Sequence, residues 1–201
     1  MVKNILITGG AGYIGAHVTE ILLKKNRNVF LIDNLSTGHR KLINSKAKFF
    51  KIDIKNKQKV KKIIKKYKID SIIHLAANLI IGEGQRKPNK YYKNNVLGTK
   101  KLLDACKDTT IKNFIFSSTA AIYKEGQYKV SENSIIKPKS IYGQTKIKAE
   151  KIIKSFAKKN KINYGILRYF NIAGASLSGK IGLINKKSDH LFKNFSIEIM
   201  K

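Results

Sequence analysis

The sequence is short of cysteine, of acidic residues, of arginine and of long apolar runs, and each shortage removes a class of protein. The single cysteine, Cys106, cannot close an internal disulfide or build a cysteine metal cluster. No apolar stretch reaches the ~18 residues of a spanning helix, which excludes a helical membrane protein. The opening Met1-Val2-Lys3-Asn4-Ile5 enters a strand-like apolar run within a few residues. It lacks the longer apolar stretch and small-residue cleavage site of a secretory signal, so the expected compartment is the cytosol. A Gly-Lys-Ser/Thr phosphate loop is missing, which argues against an NTPase. His17, His39, His74 and His190 show no metal-ligand spacing and no accompanying carboxylate cluster, so no metal is expected. Cys106 reads as a small core residue, and His74, at the end of a strand, as a packed or locally hydrogen-bonded one.

Against 42 Lys+Arg stand only 12 Asp+Glu, a formal charge of +30. With 42% hydrophobic residues the chain is too apolar for a disordered basic tail. A charge of this size suits a polyanion partner, because clustered cations neutralise phosphates. Its make-up argues otherwise. Only Arg27, Arg40, Arg86 and Arg168 are arginines, and the 42 basic residues are otherwise Lys, scattered along the chain beside many Ile and Asn. Groove readers favour the two-pronged donor geometry of Arg. Lys, Ile and Asn share A/T-rich codons, so base composition accounts for the charge as well as a nucleic-acid partner does. The 201 residues suit one generous domain, or one domain and part of another.

What is present is an alternation of short apolar runs and amphipathic ones, with no internal repeat and no low-complexity linker. Strands are expected at Lys3–Thr8, Asn28–Asp33, Lys48–Ile52, Ser71–Leu75, Asn113–Ser117 and Tyr164–Arg168. Helices are expected near Tyr13–Lys25 and Asn56–Tyr67, from Pro88 through Cys106, and over Ile141–Lys159. The stretch between the fourth strand and Pro88 reads as a loop. Apolar strands separated by helices imply an α/β fold, a doubly wound parallel sheet covered on both faces. From about Ile172 the periodicity weakens, and Leu183–Lys201 shows no convincing pattern.

Between the first strand and the first helix lies Gly9-Gly10-Ala11-Gly12-Tyr13-Ile14-Gly15. Its Gly9, Gly12 and Gly15 permit a tight turn, close backbone approach to a pyrophosphate, and tight packing of helix on sheet. The phosphates then meet the free amides and positive end of the helix. Glycines also simply make turns. Here Asp33 closes the second strand 18 residues after Gly15. A carboxylate there accepts both ribose hydroxyls of an adenosine and repels a 2′-phosphate, which favours NAD over NADP.

Two further features carry chemistry. The fifth strand ends in Ser117-Ser118-Thr119-Ala120, and Tyr142-Gly143-Gln144-Thr145-Lys146 opens a helix. Tyr142 and Lys146 are four apart, on one helix face. A fixed ammonium favours the phenolate, and a positive nicotinamide ring adds to that, so Tyr142 is the candidate general base. Thr119, helped by Ser117 or Ser118, is placed to hold a substrate alcohol. Tyr-x-x-x-Lys arises on many helices by chance, and its weight here comes from lying downstream of the dinucleotide turn.

With these segments the sequence resembles the UDP-glucose 4-epimerases of the extended short-chain dehydrogenase/reductase superfamily. The resemblance is carried by residues 8–15, Asp33-Asn34-Leu35-Ser36-Thr37-Gly38-His39-Arg40, His74-Leu75-Ala76-Ala77 and Tyr91-Tyr92-Lys93-Asn94-Asn95-Val96. It continues through Ser117–Ala120, Tyr142–Lys146 and Arg168-Tyr169-Phe170-Asn171-Ile172-Ala173-Gly174-Ala175, so it covers nearly all of residues 1–182. Related 4,6-dehydratases carry Asp-Glu after the strand-end Thr, where this chain has Ala120-Ala121. That departure favours epimerisation without loss of water.

The resemblance implies NAD contacts from Tyr13 and Ile14, from Asp33, Asn34, Leu35, Ser36, Thr37 and Gly38, and from Asp53 and Ile54. It implies others from Leu75, Ala76, Ala77, Asn78, Leu79, Asn94, Tyr142, Lys146 and Phe170. It further implies a UDP-hexose substrate held by Thr119, Tyr142 and Asn171, a transient 4-keto sugar, and a homodimer. Residues 1–175 would form the NAD-binding domain, and residues 176–201 the start of a substrate region that family members continue into a second lobe. A shortened chain that binds NAD but turns nothing over is the alternative expectation. Departures are Leu79 in place of a cofactor-facing Lys, Gly84 for Ser, Lys124 for Gly and Leu183 for Glu, with Asp189-His190-Leu191 a faint echo of Thr-His-Leu.

Overall fold

A computed structural model describes residues 3–184 and 191–200. Six strands, β1 (Asn4–Thr8), β2 (Asn28–Asp33), β3 (Lys48–Lys51), β4 (Ser71–His74), β5 (Asn113–Ser117) and β6 (Asn163–Leu167), pair in parallel in the order β3-β2-β1-β4-β5-β6. Five crossovers lie in that order, and it reverses direction between β1 and β4. In an open parallel sheet the crevice for ligands forms at that reversal, outside the carboxyl ends of the strands.

Alternation along each strand sends side chains to opposite faces. Leu6, Phe30, Ile32, Ile72, Phe114 and Phe116 meet one large core. It is covered by α2 (Lys57–Lys66), by α5 (Thr99–Cys106) and by α6 (Ile141–Asn160), through Val60, Ile64, Leu102, Leu103, Ala149 and Ile153. Ile5, Ile7, Val29 and Leu31 point the other way, onto Val18, Leu22 and Leu23 of α1 (Tyr13–Lys24). Both faces carry helices, as expected, but the second is covered more thinly toward β5. α1 shields β1 and β2, but Ile115, in register with Ile73 on this face, remains 37% exposed. β6 is an edge strand with Tyr164 and Leu167 about half exposed. Cys106 is buried in the large core, and burial pushes its thiol up to about 12, as fits an inert packing residue.

The expected elements otherwise stand within a residue or two. Asn56 caps α2 by accepting from the Lys59 amide at 3.1 Å. Ser140 caps α6 by accepting from the Gly143 amide at 3.0 Å. The run from Pro88 to Cys106 is three segments, α4 (Pro88–Tyr91), a π-helical stretch (Tyr92–Gly98) and α5. The supposed loop before Pro88 contains a short helix, α3 (Ile81–Arg86). It is held because the buried Tyr91 hydroxyl donates to the Ile80 carbonyl at 2.6 Å, while its ring fills the space beside Gly84. Leu191–Ile199 is a further helix, α7, where no pattern was expected. It buries none of its residues, so no periodic core face marked it. The echo at Asp189-His190 lies outside the described residues.

Candidate active site

At the carboxyl ends of β1, β2 and β4 the chain forms a cleft. Gly9 turns the backbone with φ of +72°, and a Cβ there would lie 2.7 Å from the Ala76 nitrogen. A Cβ on Gly15 would lie 2.5 Å from the Gly9 carbonyl oxygen. The first and third glycines of the motif are therefore required for backbone packing, and Gly12 immediately precedes α1 and borders the cleft. No acidic residue occupies the first turn of α1 and no side chain caps it, so neither neutralises the positive end of the helix.

The Asp33 carboxylate is almost buried and fixed from both sides. Its Oδ2 accepts from the Ala11 amide at 3.1 Å, and its Oδ1 accepts from the Leu35 amide at 2.7 Å. Leu35 has φ of +61°, a left-handed conformation uncommon for a branched residue, and the bond to Asp33 holds it there. Gly38 presses on the same carboxylate, where a Cβ would come within 2.9 Å of both oxygens. Each oxygen retains an acceptor site, and Asp33 lines the cleft.

Most residues expected around a dinucleotide are brought together. Gly9, Gly12, Asp33, Asn34, Ser36 and Thr37 form one wall with Gly38. Ile54, Leu75, Ala76, Ala77, Asn78, Leu79 and Asn94 form the other. Leu79 is 64% exposed at the mouth. Leu35 and Asp53 are outside the cleft lining, and Asp53 accepts from the Asn34 amide side chain at 3.1 Å. Tyr13 and Ile14 sit on the first turn of α1 outside the cleft lining, with the Tyr13 hydroxyl donating to the Gly174 carbonyl at 2.6 Å. Ile32 and Ile52 line the cleft and were not singled out from the sequence. Their signal is position, at the carboxyl end of β2 and just past that of β3.

Beside this cleft, α6 and the end of β5 build the second group. The Thr119 side chain lies near the Tyr142 phenol and accepts from the Ala121 amide at 3.2 Å. The Lys146 ammonium is buried, lies 5.7 Å from the Tyr142 ring centroid, and donates to the Ser117 carbonyl at 2.7 Å. Electrostatics reverse one expectation. Burial pushes the Tyr142 phenol up to about 12, against the lowering effect of the nearby Thr119 side chain. The expected help from Lys146 is weak because burial brings that amine down to about 7, with the nearby Glu150 charge opposing the fall. The protein alone therefore keeps the phenol neutral.

Phe170 is 74% exposed and borders a separate hollow with Ala120, Ala121, Ser140 and Ile81, next to Thr119 and Tyr142. Asn171 follows it and is exposed. Among the described residues no group of three or more His, Cys, Asp or Glu is placed to hold a metal, and no helix is long and apolar enough to cross a membrane. His74 is a buried core residue, bonded through Nδ1 to the Thr8 hydroxyl at 2.7 Å and through Nε2 to the Thr99 hydroxyl at 2.9 Å.

Comparison with known proteins gives this arrangement its relatives. A UDP-glucose 4-epimerase of Lactobacillus helveticus is 43% identical over 192 residues, which are 95% of this chain and 58% of that protein. The crystal structure of UDP-glucose 4-epimerase from Brucella ovis in complex with NAD superposes with a TM-score of 0.91 at 36% identity, over 96% of this chain and 59% of that one. The UDP-Glc/GlcNAc 4-epimerase of Campylobacter jejuni gives a TM-score of 0.84 at 37% identity, over 98% of this chain and 61% of that one. The chain thus spans somewhat over half the length of the relatives it matches. The profile of the NAD dependent epimerase/dehydratase family matches residues 5–197. That match covers most of the chain and agrees with the 43% identity to the Lactobacillus helveticus protein, so this chain belongs to the NAD dependent epimerase/dehydratase family.

Proposed function

We propose that this chain is the cofactor-binding part of a UDP-hexose 4-epimerase, that it binds NAD, and that Tyr142 is its general base. The observation that carries the proposal is the adjacency of two groups of residues. The glycine-floored cleft with its fixed carboxylate is joined to the helix that carries Tyr142 and Lys146 through Asn95, which bonds Asn78 of the cleft wall and Thr145 of α6. Asp33 lines the cleft and keeps free acceptor sites for ribose hydroxyls, which supports a dinucleotide there. Residues 1–175 form the cofactor domain in this reading, and residues beyond 176 begin the substrate region.

When bound, NAD supplies a reversible hydride acceptor for sugar C4′, so the substrate passes through a 4-keto form. Thr119 orients the C4′ hydroxyl, and Tyr142 takes its proton and returns it. Lys146, anchored on the Ser117 carbonyl, is fixed on the same helix face as the phenol. Asn171 and Phe170 border the sugar side. Ala120-Ala121 offers no acid to expel a hydroxyl from the sugar, which favours epimerisation over dehydration.

The test is direct. Titration of the purified chain with NAD and with NADP should give tighter NAD binding, by tenfold or more, about 1.4 kcal/mol. Asp33→Ser should narrow that ratio by weakening NAD. Conversion of UDP-galactose to UDP-glucose is then assayed with NAD present. Turnover supports the whole reading, and NAD binding without turnover supports a cofactor domain that lacks its substrate contacts. A folded chain that binds neither dinucleotide refutes the reading.

A further inference from the structure

Glu150 is an acid that the reading above does not use. It lies on α6 one turn beyond Lys146 and two beyond Tyr142, and its side chain is fully buried. An isolated carboxylate is costly in such a place, and this one is completely engaged. Its Oε1 accepts from the Ser118 hydroxyl at 2.5 Å and from Arg168 Nε at 3.0 Å, and its Oε2 accepts from Arg168 Nη2 at 2.6 Å. This two-pronged pairing is the strong form of the Arg–carboxylate contact.

The partners are the informative part. Ser118 stands between Ser117, whose carbonyl receives the Lys146 ammonium, and Thr119, whose side chain lies near the Tyr142 phenol. Arg168 follows β6 directly and precedes Tyr169, Phe170 and Asn171. The Ser118 amide donates to the Leu167 carbonyl at 2.8 Å and the Ala120 amide to the Tyr169 carbonyl at 3.1 Å, so the two strand ends are already side by side. Arg168 Nη1 extends the network to the Tyr123 hydroxyl at 3.1 Å. One carboxylate thereby ties three pieces of chain, each of which contributes a candidate site residue.

We propose that Glu150 is a positioning residue of this site: paired with Arg168 and bonded to Ser118, it fixes the ends of β5 and β6 against α6 and sets a negative charge one helical turn from Lys146. The inference rests on the reading of Tyr142 and Lys146 as the reacting pair. Buried ion pairs add little net stability over apolar packing of the same shape, so placement and charge are the roles left for this one. The charged or titratable groups around Lys146 are few. Tyr142 and Glu150 share its helix and His74 approaches from β4, while from beyond β6 Arg168 pairs with Glu150 and Tyr169 bonds the Ser117 hydroxyl. His74 is held neutral, at about 3, by burial and by Lys146 itself, and Arg168 stays cationic. Glu150 is then the one anion of the group, and its loss leaves the buried Lys146 amine and the partly buried Arg168 guanidinium without the carboxylate between their elements.

The test follows the titration of Lys146 in the full chain labelled with 13C-lysine, by NMR through the pH range, without cofactor or sugar. Its signal is identified by its disappearance in Lys146→Met. In the wild type it should titrate well below the surface lysines. Glu150→Gln should lower the midpoint by about one pH unit or more, and Arg168→Gln should raise it, because removing the cation leaves the carboxylate facing Lys146 alone. Opposite signs are the signature of charge placement, since general loosening of the packing moves both variants the same way. An unmoved midpoint in folded Glu150→Gln, shifts of one sign in both variants, or a wild-type Lys146 titrating with the surface lysines overturns the proposal. Should Glu150→Gln fail to fold, Arg168→Gln decides alone: an upward shift supports the proposal and any other result overturns it. None of these readings depends on NAD binding or turnover, so failure here and failure of the functional reading are separable.

Discussion

Asn95 treats the backbone of Asn78 as a strand would: its Oδ1 accepts the Asn78 amide at 2.8 Å, and its Nδ2 donates to the Asn78 carbonyl at 2.9 Å. The same Nδ2 donates to the Thr145 hydroxyl at 3.0 Å, between Tyr142 and Lys146 on α6. The π-helical stretch Tyr92–Gly98 is what turns Asn95 inward, and such local widening of a helix is common at functional sites. One buried amide thus joins the cofactor cleft to the candidate catalytic helix. Asn95→Ala strands the Asn78 amide and carbonyl, and the expected cost is about 2–4 kcal/mol in urea unfolding. NAD affinity should fall with it, because Ala76 to Leu79 lose their anchor.

The glycine turn makes a sharper demand on sequence. Gly9→Ala asks a side chain to adopt φ of +72° and to enter space occupied by the Ala76 backbone. Neither neighbour is a flexible side chain that could swing away. We expect loss of NAD binding and at least about 2 kcal/mol of stability. Gly126→Ala, with its positive φ but open surroundings, should cost only the backbone strain, about 1 kcal/mol. Equal effects in thermal unfolding of the two variants would mean that close approach is not what Gly9 provides.

These residues also mark what could be read before any coordinates. Gly9, Asp33 and the strands behind them were legible because local sequence dictates them: an apolar run, a turn only glycine allows, an acid at a strand end. Thr119, Tyr142 and Lys146 were legible as types at a spacing. The Tyr142 phenol was misjudged because its ionisation depends on burial of both partners, and burial is a property of the assembled fold. Asn95 and Glu150 sit inside motifs and helices without any local signal of their contacts. Their partners lie 17 and 32 positions away in the chain. α7 was missed for a related reason, since a helix that buries nothing has no periodic face to reveal it.

His74 supplies a pH dependence whose sign follows from burial. Desolvation, and secondarily the Lys146 charge, bring its imidazole down to about 3 from an ordinary value near 6.5. Between those values the unfolded chain binds a proton that the folded chain refuses, so stability rises with pH and is lost on acidification below about 6.5. Between pH 7 and pH 5 the contribution is about 2 kcal/mol. His74→Asn should lower stability at pH 7, by loss of bonds to Thr8 and Thr99, and flatten the slope between pH 7 and pH 5. Urea unfolding at the two values measures both. An unchanged slope in the variant would exclude His74 as its source.

Tyr142 carries the last and most demanding expectation. In the protein alone its phenol is held at about 12, so near neutral pH almost none is ionised, and a base in that state is no base. For Tyr142 to act as the base, a positive charge must arrive beside it, and oxidised cofactor brings one whereas reduced cofactor does not. Addition of NAD near pH 8 should therefore produce tyrosinate absorbance, NADH should produce much less, and Tyr142→Phe should abolish the difference. In a form of the protein that turns over UDP-hexose, the same substitution should cut turnover by about 10²–10⁴-fold while changing NAD affinity only a few-fold. The site has a built reason for that separation. Lys146 is anchored on the Ser117 carbonyl rather than on the phenol, and Asp33 lies on the opposite arm of the cleft, so cofactor contacts survive when the phenol oxygen is removed. An NAD-induced tyrosinate signal that persists in Tyr142→Phe would assign the base to another tyrosine, with Tyr169, hydrogen-bonded to the Ser117 hydroxyl, the nearest alternative.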